Sequence, residues 1–274
     1  MVREILDGLT VPYIPMIGNH DVWPYDANGQ SPQPTGDAVF VSVFKDLLER
    51  TTLETPSSLP VRLSFENKPS WNEAVNVTSY LQNGWMQIDE LKWLFLDFNT
   101  RHAAIPGKPG ALPNADLHDF VNGTWPYMQA QLAAMDADSV SQLLFFQHHA
   151  YRTPIYAPDF VMTFNEAQKK VVQQLLMQHP PLSRMFGVWG GHIHRWFNGT
   201  AFDGDEWKSF RQFETDACKG QWDTTSIHSA IMLVDVADSA VVGTRRQYGE
   251  DCINCPLTDV IDHDFGPQKL YIHD

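Results

Sequence analysis

The apolar and polar positions along the chain mark out alternating elements. Residues 1–9 read as the tail of a short helix. Val11 to Ile17 is an apolar run interrupted by Pro12 and Pro15 and ended by Gly18, and it predicts a buried strand. Residues 24–37 are rich in Pro, Gly, Asn and Asp and predict a loop. From Ala38 to Arg50, the positions Val39, Phe40, Val43, Phe44, Leu47 and Leu48 recur at helical spacing. Val61 to Phe65 and Ser79 to Gln87 are candidate strands. Leu91 to Phe98, Gln142 to Gln147 and Met185 to Trp189 are dense apolar runs and predict buried strands. Residues 101–123 read as a long loop, of the size that usually forms a binding rim. Thr124 is expected to cap a helix running to about Ala137. Asn165 to His179 predicts a helix stopped by Pro180-Pro181. Strand-like segments follow near 195–202, 207–214, 228–236 and 240–248, and the tail from Glu250 is irregular. Strands alternate with helices in the first two thirds, and then strands follow strands. That order predicts an α/β fold with a mixed sheet.

Composition narrows the picture. A chain of 274 residues, 43% of them hydrophobic, can bury a full core and fits one domain spanning residues 1–274. The net charge is −14, and no run of Lys or Arg exceeds two, which argues against a nucleic-acid partner. An anionic substrate would need a strong local positive charge, and a metal ion is the obvious source. No apolar stretch approaches the roughly 18 residues that span a bilayer. The N-terminal residues contain no signal-peptide core. Cys218, Cys252 and Cys255 cannot form a paired zinc ribbon, and the last two read as a local disulfide or inert thiols. Sequons at Asn76, Asn122 and Asn198 hint at a glycoprotein of secreted or lumenal origin.

Three polar clusters directly follow three of the predicted buried strands. Gly18-Asn19-His20-Asp21 follows the first run, His148-His149 follows Gln147, and Gly191-His192-Ile193-His194 follows the run from Met185. Loops at strand C-terminal ends are where α/β proteins build their sites. Imidazole nitrogens and amide oxygens suit borderline ions such as Zn, Mn, Fe or Ni. In an extended His-x-His, both rings point to one side. Gly190 and Gly191 permit close backbone approach. His102, His118, His179, His228, His263 and His273 each stand alone and read as hydrogen-bonded core residues. Tyr151, Arg152 and Arg195 follow the histidine loops and read as substrate contacts or as an exposed rim. Trp23 and Trp125, in loop-like sequence, are expected to help the 101–123 loop shape a pocket. No G-x-S-x-G, H-E-x-x-H, P-loop or G-x-G-x-x-G occurs.

With GNHD at 18–21, FFQHHAY at 145–151 and GGHIHR at 190–195, the chain resembles the calcineurin-like metallophosphoesterases, which include purple acid phosphatases. The resemblance runs from about residue 10 to about residue 215. Residues 216–274 are then C-terminal strands and an irregular tail. The resemblance implies a sandwich of two mixed β-sheets flanked by helices. It also implies an enzyme that hydrolyses phosphoester bonds of a small phosphorylated substrate with a metal-activated water. Two metal ions serve such a site, with Zn, Mn or Fe as the expected elements. Asn19, His148 and His192 would bind the second ion and His194 the first. His20 would contact the phosphoryl group and donate a proton or hydrogen bond to the leaving oxygen, with Asp21 orienting it.

The family pattern also includes an Asp-x-His and a Gly-Asp upstream of GNHD, and residues 1–17 contain neither. The expectation is a chain whose natural start lies further upstream. The alternatives are a natural variant with one weak metal site and an inactive binding or scaffold protein that keeps the fold. At most one weakly held ion is then expected. Asp216, Asp235 or the group Asp262-His263-Asp264 could supply substitute carboxylates.

Overall fold

Apolar runs too uniform to alternate become the middle of a sheet, because only a strand covered on both faces can bury every side chain. The computed structural model describes residues 2–10, 12–22, 33–53, 61–66, 68–73, 76–105, 108–111, 114–135, 142–152, 163–179, 184–192, 197–214, 229–237, 240–249 and 263–264. Along them run α1 (Val2–Asp7), α2 (Gly36–Leu48), β1 (Thr52–Leu53), β2 (Val61–Glu66), β3 (Pro69–Asn72), β4 (Val77–Tyr80), β5 (Asn83–Ile88) and β6 (Leu91–Leu96). Then come β7 (Ala103–Ile105), β8 (Lys108–Ala111), α3 (Thr124–Met135), β9 (Gln142–Gln147), α4 (Glu166–Gln178) and β10 (Met185–Gly190). The last are β11 (Phe197–Thr200), β12 (Arg211–Glu214), β13 (Ser229–Ala237), β14 (Ala240–Gly249) and β15 (His263–Asp264).

An eight-stranded mixed sheet has the order β1-β2-β5-β6-β9-β10-β12-β11. Its centre, β6, β9, β10 and β12, is parallel, and its flanks are antiparallel. Small antiparallel sheets join β13-β14-β15, β3-β4 and β7-β8. The fold is therefore mixed α/β, as the sequence predicts. On one face of the large sheet, Leu94, Leu96, Leu143, Phe145 and Val188 cluster with Met128 and Leu132 of α3 and with Val172 and Leu176 of α4. A capping box fixes the start of α4: Asn165 accepts from the Gln168 amide, and the Gln168 side chain accepts from the Asn165 amide. The other face is an aromatic layer in which Trp189 stacks on Phe213 at 4.9 Å and on Phe146 at 5.3 Å.

Several expectations need correction. Residues 12–17 form no ladder, and of them only Ile17 is buried. Pro12 and Pro15 lack the N–H that a central strand must donate. The segment keeps a period of two, with Tyr13 and Ile17 packing toward the cluster on α2 while Ile14 and Met16 pack on the aromatic layer. The run 79–87 divides between β4 and β5, which belong to different sheets. The 101–123 loop contains the β7-β8 hairpin and a bridge between Asn99 and Ala115. Thr124 is the first residue of α3 rather than its cap, and its hydroxyl donates to the Asp97 carbonyl at 2.6 Å. Trp125 is buried in α3 rather than in a loop, and its amide donates to the Leu117 carbonyl of the 101–123 segment.

Candidate functional site

The parallel strands β9 and β10 end on one edge, and the polar residues directly after them meet there. His148 and His149 come directly after β9, and Gly191-His192 come directly after β10. The amides of Gly191 and His192 both donate to the His148 carbonyl, at 3.1 and 3.2 Å, which fastens the two loops together. The turn at Gly18 is closed by the Asp21 amide donating to the Gly18 carbonyl at 3.0 Å. The Gly18 amide donates in return to Asp21 Oδ2 at 2.9 Å. A Cβ on Gly18 would sit 3.1 Å from His148 Cε1, so glycine lets this turn lie against the imidazole.

Three donor atoms face one another at the centre. Asn19 Oδ1 is 2.8 Å from His148 Nε2, and His148 Nε2 is 3.0 Å from His192 Nδ1. Asn19 and His192 are buried, and His148 is half-buried. His149, which the sequence grouped with His148 without giving it a role, is fully buried with its ring 4.2 Å from that of His192. His20 and Asp21 are exposed beside Asn19. The structure thus brings Asn19, His148 and His192 together. His194 and Arg195 lie outside the described residues, as do Trp23, all three cysteines, Asp216 and Asp262. Asp235 falls on β13, and His263 and Asp264 form β15. Among the described residues, no three His, Cys, Asp or Glu side chains form a metal-holding group. The convergent set is instead two imidazoles and an amide.

Behind the Gly18 turn stands a buried polar network that the sequence did not single out. Asn99 Nδ2 donates to the Ile17 carbonyl at 3.0 Å, and the Ile17 amide donates to Gln82 Oε1 at 2.8 Å. Gln82 Nε2 also donates to the Pro15 carbonyl at 2.6 Å. Side chains therefore replace the ladder that residues 12–17 lack. Asn99 is held by Asp97 Oδ1, which accepts from both its amide groups at 3.1 and 2.9 Å. Arg101 clamps Asp97 with two donors at 3.1 and 2.8 Å and reaches Asp37 at 3.3 Å. All three charged side chains are fully buried. Burial alone would raise the Asp97 pKa, but the Arg101 charge and hydrogen bonds, helped by His118 and the Gln82 amide, together outweigh it and hold the carboxyl below its usual range. The legible signal is Asp97, Asn99 and Arg101 alternating directly after β6, a fully buried strand that is apolar apart from Lys92.

The flanking residues divide differently from expectation. Tyr151 is fully buried, and burial raises its pKa, so it is not an exposed rim residue. Arg152 is 41% exposed and pairs with Asp203 at 3.1 Å. Gln212 on β12 accepts from the Tyr151 and Arg152 amides at 3.1 and 2.9 Å, and so fixes the loop leaving His149. His118 is a buried core residue as expected, with Nε2 bonded to the Asn99 carbonyl at 2.8 Å. His102 is not a core residue: it is 44% exposed, beside Asp116 at 3.5 Å. His179 is only half-buried, and His228 and His273 lie outside the described residues. No family model matches the chain, and no curated protein matches it.

Proposed function

We propose that this protein is a metal-dependent phosphoesterase whose described donors, Asn19, His148 and His192, hold one divalent ion. The observation that carries the reading is the convergence of Asn19 Oδ1, His148 Nε2 and His192 Nδ1 at 2.8 and 3.0 Å. Hydrogen bonding alone serves this triangle poorly. A neutral imidazole nitrogen carries at most one proton, so His148 Nε2 could serve both Asn19 Oδ1 and an unprotonated His192 Nδ1 only by splitting a single N–H between them. Lone pairs turned toward a shared cation remove the conflict. Two ligands at right angles on an ion with bonds of about 2.1 Å lie about 3.0 Å apart, which is the spacing found. The proposed fold is the sandwich of two mixed sheets of the calcineurin-like metallophosphoesterases. It is supported by histidine loops emerging at the C-terminal ends of β9 and β10.

A bound ion would polarise a phosphoryl oxygen and lower the pKa of a coordinated water. The chain supplies the rest. The Gly18 turn, gripped by Gln82 and Asn99, sets the amide of Asn19 against His148. His20 stands exposed on the same turn, where it can donate a proton to the leaving oxygen. Asp21 holds the turn closed through the Gly18 amide and would orient His20. His194, two residues beyond His192, is the proposed ligand of a further ion. The test is hydrolysis of p-nitrophenyl phosphate with added Mn or Zn, alongside His148→Ala. Turnover that chelation abolishes, and that the variant lowers by more than about 100-fold, supports the reading. Metal binding without turnover would favour the inactive binding protein instead.

A further inference from the structure

We infer that Glu214 is the acidic positioning residue of this site, a carboxylate that braces the root of the His192 loop and adds the negative charge the neutral donors lack. The inference rests on the metal-site reading above. Glu214 is the last residue of β12 and is fully buried. Its strand neighbours place it at the root of the segment that carries His192. Glu214 pairs in register with Gly190, the last residue before that segment, and with Phe197, the first residue of β11 beyond it.

The side chain lies over Gly190. A Cβ built there would stand 2.9 Å from Glu214 Cδ and 3.1 Å from Oε2, with Oε1 nearer still. Glycine at 190 therefore makes room for the carboxylate itself, a reason beyond the flexibility of the turn. Side chains two apart on a strand share a face, so Glu214 lies on the same face as Gln212. Gln212 receives the amides of Tyr151 and Arg152 and returns a bond from Nε2 to the Arg152 carbonyl. Glu214 is thus one residue pair nearer the strand ends than the group that pins the His148 loop, and it abuts the root of the His192 loop.

A fully buried carboxylate in that place has a clear physical use. Asn19, His148 and His192 contribute no formal negative charge, and a divalent ion held by neutral donors alone is poorly compensated. A carboxylate behind the ligands orients them and offsets the ion's charge. Removing such a partner characteristically weakens metal affinity by about 10- to 100-fold.

The experiment is calorimetric titration of Mn or Zn into the unsubstituted protein, Glu214→Gln and Gly190→Ala. Each protein's metal-free melting temperature and the visible spectrum of its Co form are recorded in parallel. Glu214→Gln keeps the shape and loses the charge. Gly190→Ala keeps the charge but displaces it. Affinity reduced by about 10- to 100-fold in both, with an altered Co spectrum, supports the inference. Glu214→Gln binding as tightly as the unsubstituted protein overturns it, whatever happens to the melting temperature. Gly190→Ala is then the check should Glu214→Gln fold poorly. If the unsubstituted protein binds no ion, the metal reading itself fails, and this inference is overturned with it.

Discussion

At the scale of single residues, the account places most of its weight on buried polar groups. Arg101 pairs with both Asp97 and Asp37 inside the protein. Replacing it by Met leaves buried carboxylates without their guanidinium, and urea unfolding should show a loss of about 3–5 kcal/mol. His118 carries a pH signature. Burial holds its pKa below the ordinary value, outweighing the upward pull of Asp116. In the unfolded chain it takes a proton near about pH 6.5, while in the folded chain it stays neutral to lower pH. Its share of stability is therefore full above that pH and is lost as pH falls through the folded pKa. The melting temperature should drop between about pH 7 and pH 5, and His118→Asn should drop less over the same interval. Asn suits the left-handed φ of 52° at this position. His102 works in the opposite sense, its pKa raised by Asp116, but it is 44% exposed, so its contribution is heavily screened.

At the scale of elements, the apolar pattern located what packing decides and missed what side-chain hydrogen bonds decide. Leu91, Gln142 and Met185 were legible as strand starts because their runs are buried on both faces. The start of α4 was legible because Asn165 and Gln168 are capping residues at capping spacing. Residues 12–17 misled because their hydrophobicity is that of a strand, while their backbone bonds go to Gln82 and Asn99, far away in sequence. Asn19, His148 and His192 were legible as types at strand ends. Their support was less so: the alternation of Asp97, Asn99 and Arg101 after β6 marks a polar segment, but the sequence does not say that these residues and Gln212 are buried or which groups they bind. Gln212 gives a direct check on that support. In Gln212→Ala, the Tyr151 and Arg152 amides lose their acceptor and should exchange hydrogen with solvent faster than in the unsubstituted protein. Displacement of the loop by about 1 Å would cost up to about 100-fold in turnover. Unchanged exchange at those two amides would show that the loop is held by something else.

At the scale of the whole molecule, the formal charge of −14 opposes an anionic phosphoester. Its long-range repulsion should be screened as the Debye length shortens, from about 30 Å at 0.01 M salt to about 8 Å at 0.15 M. The value of kcat/KM for p-nitrophenyl phosphate should therefore rise with salt over that range, and a fall would mean that the field at the site is locally positive. The central claim is that Asn19, His148 and His192 form the donor set for an ion, and it is most directly tested by anomalous diffraction from crystals soaked in Mn or Zn. The account predicts a peak about 2.0–2.3 Å from Asn19 Oδ1, His148 Nε2 and His192 Nδ1. Crystals that take up the metal elsewhere, with no peak between these three atoms, would contradict it.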